Sequence, residues 1–191
     1  MTKRSKHVAI AIIGAAAFTL AGCREEQVDA QAFPDLQSCT DAAERGGFFS
    51  AADCDAAFAE AEALHVEAAP RYDSQAVCEE QHGVGACGTE AAATQGGSGS
   101  IFMPLLAGYL MGNMLSGGRG TAASQPMYRT AGGKFSTAAG TSTFSSNKGA
   151  AKLGASTFAK PAATAGKPPM TRAAAQSRGG FGKSFGRSAG S

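Results

Sequence analysis

Five cysteines and three histidines supply the most reactive side chains of this 191-residue sequence. Cys78 and His82 stand four residues apart, one face of a helix, and Cys87 follows, so a zinc ion held by thiolates and an imidazole is conceivable there. His65 lies near Glu62 and Glu67, where an imidazole base could be flanked by carboxylates. Neither grouping extends further. Cys39 and Cys54 form no C-x-x-C pair, and hydrolysis would need a nucleophile, a base and an oxyanion site brought together, which no pattern marks. Gly182-Lys183-Ser184 looks like the end of a phosphate-binding loop, but Ser177 stands where that loop requires glycine. The expectation is no catalytic residue, no metal and no cofactor. An accessory metal-binding or enzymatic role through His65, His82 and nearby carboxylates is the alternative.

Cys23 is set apart by what precedes it. Lys3, Arg4, Lys6 and His7 are followed by an apolar run over 8–20 and by Leu20-Ala21-Gly22-Cys23, the order of a charged region, a short apolar core and a small-residue cleavage site. The apolar run is 13 residues, short of the roughly 20 that cross a bilayer as a helix, so cleavage is favoured over a permanent anchor. Leu-Ala-Gly-Cys resembles the bacterial lipobox, which implies a diacylglycerol on the Cys23 sulfur and an acyl chain on its freed amine. Arg24, in place of the aspartate that signals inner-membrane retention, favours the outer membrane, facing the periplasm. The periplasmic face of the inner membrane is the less favoured site.

Export changes the reading of the other cysteines. Cys39, Cys54, Cys78 and Cys87 are an even number within a short exported segment, which reads as two disulfides rather than free thiolates. It also changes the reading of Arg178-Gly179-Gly180-Phe181-Gly182 with Phe185 and Arg187, where cations could meet phosphates and rings could stack on bases. Outside the cytoplasm nucleic acid is not expected. The same physics suits lipopolysaccharide phosphates, anionic lipid head groups or the protein's own acidic part.

That acidic part is sharply bounded. All 15 Asp and Glu residues lie within 24–100 beside only Arg24, Arg45 and Arg71, a charge of −12, whereas 116–191 holds 11 Lys and Arg and no acid. The overall +2 therefore hides two opposed halves. The second half is rich in Gly, Ala, Ser and Thr and poor in aliphatic residues. Such a composition buries little apolar surface against its ordering entropy, so disorder is expected over 116–191.

The first half reads as helical. Ser50 with Asp53 is capping-box-like, Phe58, Ala61 and Leu64 recur at helical spacing, and Pro70 ends the run, so a helix is expected over 51–68. A shorter helix should begin after Ser74 and stop at Gly83, and 36–45 could be a third, together an acidic helical hairpin with a lead-in. In such a hairpin Cys54 would lie about 20 Å below the turn and Cys78 about 6 Å below it, too far apart for a direct bridge. The preferred pairing is Cys39–Cys54 and Cys78–Cys87, with Cys39–Cys78 and Cys54–Cys87 left open. The uncharged stretch 101–115 reads as an apolar helix: Pro104 suits its first turn, and Gly108 and Gly112 share one face where a second helix could approach. It is expected to meet a membrane or to self-associate, with packing on the cysteine module as the alternative.

With these features assembled, the chain resembles the YgiB-like family of small proteobacterial envelope proteins. The resemblance rests on the lipobox, the acidic four-cysteine module, Ala-Pro-Arg-Tyr at 69–72, the stretch 98–112 and Arg-Gly-Gly-Phe-Gly at 178–182. It implies a role in envelope maintenance and supplies no catalytic residues. The expected organisation is a signal peptide (1–22), a lipidated N-terminus and linker (23–34), an all-α disulfide-stapled module (35–90), a Gly/Ser linker (91–100), the apolar helix (101–115) and a basic disordered tail (116–191). The expected function is that of a non-catalytic structural or interaction lipoprotein. Its partners would be the membrane through the anchor, anionic envelope polymers or lipids through the tail, and other copies of itself.

Overall fold

The computed structural model describes residues 26–94, 96–114 and 121–181. Cys23 and the residues before it, residues 115–120, and Lys183, Ser184, Phe185 and Arg187 lie outside them. Three helices form where local signals point. Helix α1 (Leu36–Glu44) starts on Asp35, whose carboxylate accepts from the Ser38 amide at 2.7 Å. Helix α2 (Ala51–Ala68) opens with a full capping box: the Asp53 amide donates to Ser50 Oγ and the Ser50 amide to Asp53 Oδ2. Helix α3 (Gln75–His82) starts on Ser74 and ends at Gly83. Two short helices, α4 (Glu90–Thr94) and α5 (Arg172–Ser177), and a 3₁₀ turn (Ala155–Phe158) complete the helical part.

The remainder corrects the all-α expectation. Strands β1 (Gln27–Phe33), β4 (Tyr109–Met114), β5 (Thr121–Arg129), β6 (Phe135–Thr137), β7 (Thr143–Phe144) and β8 (Gly149–Gly154) form one antiparallel sheet in the order β7-β6-β5-β4-β1-β8. Strands β2 (Cys87–Thr89) and β3 (Phe102–Pro104) form a separate pair. The stretch expected as an apolar helix is therefore two strands, and most of the stretch expected as disordered is strand, turn and short helix.

Alternation along β4 shows why. Tyr109 and Met111 face the helices, joining Phe33, Cys39, Phe49, Cys54, Ala57 and Ala61 in one cluster. Leu110 points to the other face, with Val28, Ala30, Ala32, Met127 and Phe158. A strand buried on both faces carries no polar alternation and reads as a continuous apolar run, indistinguishable by period from a buried helix. The basic half, though poor in aliphatic residues, is ordered because its strands complete a ladder begun by β1 and β4. Its backbone groups are satisfied by pairing, as in Met127 N to Gly108 O at 2.8 Å.

The expected hairpin of α2 and α3 is also replaced. Helix α1 packs along α2, while α3 packs on β2, β3 and α5. Between α2 and α3 the chain is extended, with Tyr72 bridged to Phe102 on one side and to Met170 on the other, and these partners separate the two helices.

Candidate functional site

Arg71 organises the connection between α2 and α3. Only 4% of it is exposed, and its guanidinium donates to Glu90 Oε1 at 2.6 Å, to Val66 O at 2.7 Å, to Ala69 O and to Thr164 Oγ1. It closes the carbonyl end of α2, where a cation is favoured, and draws in the loop that carries Thr164. The Arg71 hydrogen bond and that from the Ser98 amide hold the Glu90 carboxyl below the usual range. Thr164 in turn donates its hydroxyl to Ala69 O at 2.6 Å and its amide to Glu67 O at 2.9 Å.

Behind this node stands a column of rings. His82 is fully buried; its Nδ1 donates to Arg129 O at 2.7 Å, which leaves Nε2 to accept from the Tyr72 hydroxyl at 2.8 Å. His65 Nδ1 meets the Tyr128 hydroxyl at 3.1 Å. Phe181 lies against the His82 ring, centroids 4.4 Å apart. Burial pushes the His82 pKa down to about 4, against the opposing pull of the Arg129 carbonyl. Burial, with the Arg71 charge adding to it, brings His65 to about 4 as well. Both imidazoles are therefore neutral at pH 7, and Tyr72 and Tyr128 are held protonated by burial.

A cleft of about 600 Å³ opens in front of the column. One wall is the α2–α3 connection, Ala68 to Tyr72; another is the turn 138–141 after β6; the third is the C-terminal segment from Thr164 to Phe181. Arg71, Lys167 and Arg178 contribute cations, and none of the lining residues is acidic. Concave, mostly apolar surfaces of this size with a few convergent polar groups are where small molecules bind.

The residues singled out in the sequence fall in separate places. Cys39 and Cys54 are joined, tying α1 to α2, and Cys78 and Cys87 are joined, tying α3 to β2. The sulfurs beside His82 are thus no thiolates for a metal, and among the described residues no three metal-ligating side chains converge. His65 and His82 share the ring column, but Glu62 and Glu67 take no part in it. Pro104 is the buried end of β3, opposite Cys87. Gly112 lies within β4 and Gly108 directly precedes it, so helical spacing does not apply to them. Among the described residues no helix is long and apolar enough to cross a membrane.

Of the cleft residues, Arg71, Tyr72 and Lys167 carried no chemical motif, whereas Arg178 and Phe181 belong to the Arg-Gly-Gly-Phe-Gly stretch read above as able to meet anions. A signal did exist: two of the stretches that carry the resemblance, 69–72 and 178–182, supply facing walls of the cleft.

Fold and cleft together define a small disulfide-bonded module of mixed helices and antiparallel sheet. The chain belongs to the YgiB-like family, whose model, described as a protein of unknown function (DUF1190), matches residues 27–190. A UPF0441 protein of Erwinia tasmaniensis is 34% identical to it over 191 aligned positions, covering 92% of this chain and 79% of the relative. UPF0441 proteins of Yersinia pestis and Yersinia pseudotuberculosis are each 33% identical over 196 positions, with the same coverage. No solved structure matches the chain.

Proposed function

We propose that the protein is an exported envelope lipoprotein, carried on acylated Cys23, that acts by binding and not by catalysis. The observation that carries this reading is the closure of all four cysteines beyond Cys23 into two disulfides, a use of cysteine suited to an oxidising compartment. The lipobox supplies the anchor. Several acyl chains, each contributing about 0.8 kcal/mol per buried CH₂, make membrane residence effectively permanent. Arg24 favours the outer membrane, with the folded module facing the periplasm.

Binding is favoured over catalysis because the groups that could act as bases are already engaged. His65 and His82 each have a ring nitrogen bonded to a buried partner, and both are too weakly basic to carry a proton near neutral pH. Partners suited to the basic half are anionic lipids or envelope polymers, and a second copy of the chain is a further candidate. The test is metabolic labelling with palmitate in cells producing the wild-type chain or Cys23→Ser. Label on the wild type and none on the variant is expected; membrane retention of both, with neither labelled, would remove the lipoprotein reading.

A further inference from the structure

We propose that the cleft between the α2–α3 connection and the segment 164–181 binds a small amphiphilic anion, its charge met by Lys167 and Arg178 and its apolar body by Pro70, Met170 and Phe181. This rests on the binding reading above and names its ligand class.

Charge is the first argument. Arg71 is neutralised by Glu90, so it adds little net field, but Lys167 and Arg178 are exposed. Among the described residues neither meets a carboxylate, although Lys160 and Arg172 in the same stretch of chain pair with Glu67 and Glu80. Among the described residues the side-chain hydrogen bond of Arg178 is to the Met170 sulfur at 3.5 Å, a weak acceptor. The two unpaired cations of this segment are the two that line the cleft.

Shape and polarity select the remainder of the ligand. About 600 Å³ is far more than a bare phosphate or sulfate fills, and the lining away from the cations is largely alanine, proline, methionine and the Phe181 ring. An anion without an apolar body would leave that surface wet, and an apolar molecule without a charge would leave the cations unanswered.

The test is calorimetric titration of the full chain, held in nanodiscs of zwitterionic phosphatidylcholine, with 1-naphthyl phosphate. Inorganic phosphate supplies the head alone and 1-naphthol the body alone. Saturable binding at one site is expected, with either fragment at least tenfold weaker. Lys167→Ala with Arg178→Ala should weaken binding tenfold or more, while Lys134→Ala with Lys148→Ala, cations outside the cleft, should leave it unchanged. Ala139→Trp fills the cleft from the turn after β6 without altering charge, and it should abolish binding. The proposal is overturned if 1-naphthol binds as well as its phosphate, if the Lys134 and Lys148 pair matters equally, if Ala139→Trp binds normally, or if no heat saturates. Palmitate on Cys23 in the same preparation separates the two ideas: absent binding on a labelled chain removes this ligand class alone.

Discussion

Gly108 sits at φ +135°, and a Cβ there would come within 2.6 Å of the Phe33 carbonyl oxygen. Neither the positive φ nor a backbone oxygen can yield cheaply, so Gly108→Ala should cost about 3 kcal/mol or more. At Gly112 the obstacle is the Phe158 ring, 2.5 Å from the Cβ site; a side chain can shift, and about 1–3 kcal/mol is expected for Gly112→Ala. Urea unfolding of the two variants checks both values, and a loss at Gly112 exceeding that at Gly108 would contradict the geometry. The four-residue spacing of these glycines, which suggests a helix-contact face in the sequence, has an intramolecular cause here.

The histidines give a second prediction at this scale. Their folded pKa of about 4 lies below the ordinary value near 6.5, so the folded state binds fewer protons than the unfolded state between those limits. Stability is therefore full above about pH 6.5, declines as pH falls, and has lost the whole contribution by about pH 4, on the order of 2–3 kcal/mol for each imidazole. Urea midpoints should drop from pH 7.5 to 4.5, and the imidazole resonances of His65 and His82 should show no titration above pH 5. Titration centred near 6.5 would mean that the rings are not buried.

Legibility divided between the elements by how local their causes are. Helices α2 and α3 announce themselves through Ser50, Pro70, Ser74 and Gly83, each acting within a few residues of its own position. Strand β4 could not be read this way, because Tyr109 and Met111 owe their burial to helices some fifty residues upstream and Leu110 owes its burial to Phe158 downstream. Strand β5 was hidden by composition: Ser124 and Gln125 are buried as partners in a sheet, not for their own hydrophobicity. The cleft was illegible for the same reason, since Arg71 and Arg178 meet only through long-range pairing. Hydrogen exchange tests this directly. Amides of β5 such as Met127 should exchange only through global unfolding, whereas a disordered basic half would exchange throughout 121–154 at unprotected rates.

The disulfides also act at the level of elements. Each closes a short loop, with sequence separations of 15 and 9, for which chain entropy alone gives about 3 kcal/mol. Cys78→Ala with Cys87→Ala should therefore lower stability by about that much, as measured by denaturant midpoint. A loss below about 1 kcal/mol would mean that β2 and α3 hold together without the bridge.

Across the whole molecule the two charged halves meet in one sheet. Lys152 with Asp29, Lys160 with Glu67 and Arg172 with Glu80 all join the basic half to the acidic one. These pairs are exposed and each contributes about 0–1 kcal/mol, so they guide the halves together more than they stabilise the result. Lys167 and Arg178 at the cleft meet no carboxylate among the described residues, and the module that carries them is one the lipobox would hold against a membrane. Envelope placement, lipid anchorage and disulfide closure stand together in this account, and one measurement reaches all three. Peptide mapping by mass spectrometry, without reductant, of the chain extracted from membranes should find an N-terminal peptide beginning at acylated Cys23 and peptides cross-linked as Cys39–Cys54 and Cys78–Cys87. An unmodified peptide running through Leu20 to Glu26, together with free thiols at the four other cysteines, would contradict it.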